Sequence, residues 1–410
     1  TFCWGMLVPG ARACTSFLAG RNATIDGSTF ITYAADSHTL YGALKFIPAA
    51  RHPKNSTMEI REWDTNKLLG HIPQVEYTYK VVGNMNEHQL SITESTWGGR
   101  PELVDTTGII DYGSLMYIAL QRAKTAREAI TVMTDLVSEY GYYSSGESFS
   151  IADPEEVWIM EMIGKGPQNQ GAVWVAVRIP DDCIAAHANQ SRIHKFPLDD
   201  KENCLYSPDV ISFAREQGYF NGLNKDFSFA DAYAPADFGA LRGCEARVWS
   251  FYNRFNSSMG KYLSYLNGKS KEYLPLYIKP DKKLSVQDMK DAMRDHFEGT
   301  PFDMTQDVGA GPFKCPYRFR PMTFKVDSVE YTNERAVATQ QTAFTLVAQM
   351  RSWLPNAIGG VLWFGVDDTN TCVYVPLYAC LNEVPECYSE LNGSMYDLSW
   401  TSAFWIHNWV

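Results

Sequence analysis

Apolar and polar residues alternate in short runs along the first part of the chain, and this pattern predicts strands before helices. Residues 15–19 and 28–33 read as a hairpin around a turn at 22–27. Strands follow at 41–47, 57–63, 75–82 and 89–93, separated by Gly, Pro and Asn. The period then changes. Residues 111–123 predict a helix, and Thr125 to Glu128 reads as a capping box opening a second, with Ile130, Met133, Leu136, Val137 and Tyr140 on one face and Gly141 beyond its end. Strands return at 148–152 and 157–162 around the turn Asp153-Pro154-Glu155-Glu156, and again at 171–179. Ser207-Pro208 predicts the start of a helix closed by Gly218, helical spacing recurs at 244–255 and 285–297, and strands resume after Phe324, most clearly at 359–366. This order implies two stacked sheets covered by helices.

Composition narrows the classes. The chain has 410 residues, 45% hydrophobic and 13% aromatic, enough for a sizeable core; length alone allows two or three domains or one elaborated sandwich. A net charge of −11 with no offsetting basic run argues against a nucleic-acid partner, and no run of 18 apolar residues predicts a membrane span. Of the nine cysteines, Cys372, Cys380 and Cys387 are spaced closely enough for a disulfide in an exported protein. HExxH is absent, no CxxC pair with a nearby His completes a zinc site, and neither metal nor cofactor is expected. His38, His187 and His296 are available as bases, yet no cysteine carries a papain-like local signature.

The chemistry concentrates near the start. Ala11-Arg12-Ala13 is a small-x-small triplet of the kind a signal peptidase reads, and residues 1–8 resemble the end of a signal-peptide apolar region. Residues 1–13 are therefore read as a signal-peptide or propeptide remnant, and 14–410 as one domain that stops at 403–410 inside an aromatic segment, as though a C-terminal portion were missing. Cutting after Ala13 would give Cys14 a thiol and a free amine on one residue, and an amine with an ordinary pKa of about 8 can take the thiol proton. The plainer alternative is a structural or disulfide-bonded cysteine opening a mature secreted chain. Acylation of Cys14 is disfavoured by Arg12, where a small residue is expected.

Cys14-Thr15-Ser16-Phe17-Leu18-Ala19-Gly20, Asp26 to Thr29, Asn84-Met85-Asn86-Glu87 and Ile92-Thr93-Glu94-Ser95-Thr96 together resemble the thiol dipeptidases typified by bacterial dipeptidase A. The likeness continues in order through Ser148 to Asp153, Trp158 to Glu161, Ala186 to Gln190, Ala246 to Trp249 and His296 to Pro301. It implies an α+β fold, the four-layer αββα sandwich of N-terminal nucleophile hydrolases, related to penicillin V acylase and bile salt hydrolase. It also implies an enzyme that hydrolyses dipeptides or short peptides through a thioester without a metal; with the cleavage triplet this reads as an exported enzyme, periplasmic or extracellular, with homo-oligomer formation left open. By the same likeness Cys14 is the nucleophile, Asp36 stands beside its amine, Asn189 is an oxyanion-hole donor and Arg247 lies near the thiol, able to lower its pKa. Tyr33 occupies the place where relatives carry arginine, and Thr96 lies about where the acylases carry an asparagine. With Glu94, a candidate for a dipeptide's α-ammonium, these two complete the expected substrate-binding set. Two alternatives remain: a related amidase for acyl-amino acids or bile-acid conjugates, and a non-catalytic secreted binding protein on the same fold.

Overall fold

The alternating segments fold into antiparallel sheets. In the computed structural model, which describes residues 13–318, 323–332 and 334–409, the main strands are β1 (Ala13–Ala19), β2 (Thr29–Asp36), β3 (Ser91–Trp97), β4 (Gly146–Ala152), β5 (Val157–Gly164), β6 (Ala172–Arg178), β7 (Ile184–His187), β8 (Thr342–Met350), β9 (Val361–Val366) and β10 (Val375–Tyr378). The principal helices are α1 (Tyr112–Arg122), α2 (Ala126–Tyr140), α3 (Ala246–Phe255) and α4 (Val286–Met293). Except for Ala13, the segment expected to be removed lies outside the described residues.

Among the described residues one sheet runs Tyr277–Ile278, β7, β1, β2, β8, β9, β10, and the other Cys204–Tyr206, β6, β5, β4, β3, Met85–Asn86, Val81–Val82, Phe46–Ile47. Three apolar clusters join these elements. Leu18, Ile31 and Tyr33 of the first sheet share one with Trp97, Ile159 and Val175 of the second. Phe17, Ala34 and Ala186 share another with Val248 and Phe251 of α3 and Met289 of α4. Met116 of α1 and Met133 of α2 share the third with Phe149 and Met160.

The two-residue period of a strand decides what can meet Cys14. On β1, Cys14 and Leu18 belong to the cluster shared by the sheets, while Phe17 and Ala19 belong to the one shared with α3. On β2, Ile31, Tyr33 and Ala35 fall in the first set, Phe30 and Ala34 in the second. Register pairs Ala13 with Asp36 and Cys14 with Ala35, so Tyr33 shares a face with Cys14 and Asp36 lies on the opposite one.

Helix α3 is fixed by aromatic packing. Phe251 stacks on Phe17 with ring centroids 4.1 Å apart, a burial that stabilises by about 2 kcal/mol. Arg247, one helical turn earlier on the same face, is thereby brought to the backbone at Cys14. A π-turn, Leu241–Glu245, precedes α3, and Arg247 Nε donates to the Gly243 carbonyl (2.7 Å) that this irregular turn presents.

Several expected boundaries change for tertiary reasons. Only Phe46–Ile47 of the 41–47 strand is a strand; Gly42 lies against the Ala343 carbonyl with no room for a Cβ, and Tyr41 donates to Asn392 O (2.5 Å). The 75–82 strand divides into Tyr77–Thr78 and Val81–Val82. The helix expected from Ser207 begins at Val210, because Ser207 N donates to Trp174 O (3.0 Å) and so extends the sheet. Thr125 accepts from Glu128 N (3.2 Å), but the Glu128 carboxylate turns to Lys124 N (2.7 Å), leaving half the predicted capping box. The expected disulfide among Cys372, Cys380 and Cys387 is not formed. Cys372 is buried against Gly365 of β9, with its thiol toward Thr369 O (3.5 Å), whereas Cys380 is exposed.

Candidate active site

Cys14 lies near the start of β1, 5% exposed, paired with Ala35 near the end of β2 and facing Glu94 in the middle of β3. Its Sγ is 3.4 Å from Glu94 Oε1 and 3.8 Å from the Tyr33 hydroxyl. Its backbone N donates to Asn189 Oδ1 (2.9 Å), and its carbonyl accepts from Arg247 Nη1 (2.8 Å). Burial, then the charges of Glu94 and Asp36, push the thiol well above its ordinary pKa; hydrogen bonds from the Asp36 backbone N–H and the Tyr33 hydroxyl partly offset this. Arg247 touches the backbone of Cys14, and the thiol sits among acidic groups, so its surroundings differ from the arginine-lowered thiol expected.

Asn189 follows β7 with a left-handed backbone (φ 58°), a conformation asparagine tolerates better than most residues. Its amide orientation is dictated by its neighbours. Oδ1 accepts from Cys14 N and from Arg247 Nη2 (3.0 Å), while Nδ2 donates to Thr96 O (2.6 Å). The side chain expected to aim an N–H at an oxyanion therefore presents its carbonyl to the Cys14 nitrogen. Arg247 also donates to Thr15 Oγ1 (2.8 Å) and Ala188 O (3.1 Å), and burial beside Arg335 brings its pKa down to about 10.

Asp36, on the far face of β2, hydrogen-bonds Arg335 through Oδ2 and accepts from Thr342 Oγ1 (2.5 Å) through Oδ1. Burial raises its carboxyl pKa, and those two partners pull the other way. Tyr33 donates to Glu94 Oε1, the oxygen that also faces the thiol. Tyr33 thus puts a hydroxyl on Glu94. Glu94 Oε2 is buried with no hydrogen-bond partner among the described residues. Thr96 gives its hydroxyl to Glu147 (2.9 Å) and its carbonyl to Asn189.

Cys14, Tyr33, Asp36, Glu94 and Thr96 line one pocket together with Trp63, Asp64 and Tyr112. Asn189 and Arg247 stand behind Cys14, on its backbone side. Trp63 and Asp64 lie in the turn of the hairpin Thr57–Arg61/Leu68–Pro73, held by stacking of Trp63 on Tyr117 (4.8 Å) and by the Tyr112 hydroxyl on Asp64 (3.0 Å). Arg335, Thr342, Trp63, Asp64 and Tyr112 were absent from the expected set, since no local motif marks them. His187 is enclosed between Ser95 (2.6 Å) and Ser150 (2.7 Å), and His296 bonds Glu298.

Residues 13–410 match the family described as Peptidase family C69. The chain belongs to peptidase family C69. It is similar to the "Probable dipeptidase" of Latilactobacillus sakei, 27% identical over 96% of this chain and 79% of that protein, and to the "Probable dipeptidase" of Salmonella dublin, 27% identical over 89% and 81%. "Dipeptidase A" of Lactobacillus helveticus is 24% identical over 92% of this chain and 77% of its own length. This C69 peptidase therefore carries a buried thiol and a carboxylate with one open oxygen in one pocket wall, with a backbone nitrogen behind them held by Asn189. Among its described residues no helix is long and apolar enough to cross a membrane.

Proposed function

We propose that this C69 peptidase is an exported cysteine dipeptidase, with Cys14 as nucleophile once residues 1–13 are removed. The observation that carries the reading is the environment of the Cys14 nitrogen. It rests on Asn189 Oδ1, which Arg247 also holds, so a fixed positive charge stands close to where the new α-amine would lie. That charge favours the neutral amine, the form able to accept a proton.

In the reaction the amine takes the Sγ proton, and the sulfur adds to the peptide carbonyl carbon. Collapse of the tetrahedral intermediate breaks the C–N bond as the ammonium returns a proton to the leaving nitrogen. Water, deprotonated by the same amine, then cleaves the thioester and releases the acid. Arg247 and Asn189 act as positioning residues for the nitrogen, and Asp36, anchored by Arg335 and Thr342, fixes the end of β2 beside the sulfur. As an oxyanion donor, the role its resemblance implies, Asn189 would have to turn an amide hydrogen from the backbone side of Cys14 toward the pocket, and Tyr33, Glu94 and Thr96 form the substrate-binding wall. The four-layer αββα sandwich belongs to the same reading and is supported by the three apolar clusters, one joining the sheets and one on the helix side of each.

The test is intact mass and N-terminal sequencing of the active protein, with and without iodoacetamide, followed by Cys14→Ala on a dipeptide panel. A mature chain beginning at an alkylatable Cys14 and an inactive variant are expected. An active preparation retaining residues 1–13 would overturn the mechanism, and hydrolysis restricted to acyl-amino acids would replace the dipeptide substrate.

A further inference from the structure

The charged groups around the Cys14 sulfur are not equivalent. Asp36 uses both carboxylate oxygens, on Arg335 and Thr342, and turns only its backbone N–H toward the thiol. Arg247 is spent on three backbone carbonyls, the Thr15 hydroxyl and Asn189. Tyr33 contributes a neutral hydroxyl to Glu94 Oε1. Glu94 is left with a charge 3.4 Å from the sulfur and a second oxygen, Oε2, that is buried, unpartnered among the described residues and part of the pocket wall. A buried carboxylate oxygen with no donor is a costly arrangement that a ligand donor would relieve.

We propose that Glu94 is a charge gate: while unoccupied it holds the Cys14 thiol protonated, and the substrate's free α-ammonium, binding at Oε2, neutralises it and releases the thiolate. This rests on the reading of Cys14 as nucleophile. A carboxylate accepting a hydrogen bond from a thiol opposes its ionisation, and a cation on the same carboxylate weakens that opposition. The proton still passes from Sγ to the Cys14 amine, so Glu94 accepts none and no redox change occurs. Backbone dimensions fit the assignment. The amino nitrogen of a peptide lies roughly 2.5 Å from the carbonyl carbon of its own residue, as the N–Cα and Cα–C lengths and their angle require. An ammonium on Oε2 therefore brings the first peptide bond of the substrate, and no later one, to the sulfur. Peptides whose amino group is acylated would neither bind there nor open the gate, so recognition and activation depend on one group.

Two readouts of the mature protein test this. The first is ultraviolet thiolate absorbance against pH, taken as the difference from Cys14→Ser, with and without L-alaninamide as the ammonium probe and N-acetyl-L-alaninamide as its uncharged control. In the wild type, alaninamide should move the titration to lower pH and the acetylated control should leave it in place. The second is the kcat/KM ratio of Ala-Ala to N-acetyl-Ala-Ala, which Glu94→Gln should reduce by about 100-fold or more while moving the thiol titration down and making it insensitive to alaninamide. A Glu94→Gln titration that stays put or moves up overturns the gate, as does unchanged discrimination. Should that variant fail to fold, the wild-type titration decides alone, and no response to alaninamide overturns the proposal. Activity retained by Cys14→Ala would instead overturn the nucleophile assignment on which it rests, whatever Glu94 does.

Discussion

Glu94 and Glu161 are both buried glutamates on strands of the same sheet, 1% and 0% exposed, and they are treated in opposite ways. Glu161 on β5 is saturated: Oε1 accepts from Arg192 N (2.6 Å) and Ser148 Oγ (3.4 Å), Oε2 from Ser191 Oγ (2.5 Å) and Ile193 N (3.1 Å). Arg192 in turn bonds Glu245 (2.8 Å) and the carbonyls of Ala186 and Pro275. That network ties the segment after β7 to its surroundings and offers a ligand nothing. Glu94 on β3 is bonded on one oxygen only and stands in the pocket wall. Burial is alike in the two; completeness of hydrogen bonding separates the group that builds the fold from the group available for chemistry.

The largest expected effect lies on the chemical side. Cys14→Ala should lower dipeptide kcat/KM by about 10⁴-fold or more with urea stability almost unchanged. Next comes the direct contrast. Glu161→Ala leaves buried donors unmatched and should cost about 3–5 kcal/mol in urea unfolding, whereas Glu94→Gln should cost under about 1 kcal/mol. Reversed values would erase the distinction drawn between them.

A pH series probes the saturated side further. Burial, and secondarily Arg192, depress the His187 pKa from 6.5 to about 3. Between those values the unfolded chain binds more protons than the folded one, so this contribution is complete above pH 6.5 and is lost as pH falls toward 3, with a limiting slope of about 1.4 kcal/mol per pH unit. His187→Gln should flatten that part of the unfolding-midpoint profile. Tyr33→Phe, which removes one donor from Glu94, should cost less than Glu161→Ala, about 1–2 kcal/mol of stability. Its iodoacetamide profile should move to higher pH, because the hydroxyl that helps stabilise the thiolate is gone.

Much of this was legible in the chain itself. The two-residue alternation located β1, β2, β4, β5 and β6, the 3.6-residue period located α1 and α2, and the residues flanking Cys14 drew attention to a thiol that lines a pocket. Relationships across long stretches of chain were not legible. Arg335 meets Asp36 across 299 residues and has no motif around it. Trp63 and Asp64 reach the pocket on a hairpin of which the sequence predicts only the first strand, 57–63, and no part in the pocket. The Asn189 amide could be placed near Cys14 by resemblance, but which end faces the nitrogen depends on Arg247 and Thr96 together.

The π-turn ahead of α3 acts as a frame shift in the helical code. Each residue advances a helix by about 100°, so the extra residue of a π-turn turns everything downstream onto a different face. Deleting one residue within Leu241–Glu245 would leave every side chain of α3 chemically intact, yet Phe251 and Arg247 could no longer both address β1. In an alignment such a deletion would look harmless; at the pocket it would read as the loss of an arginine.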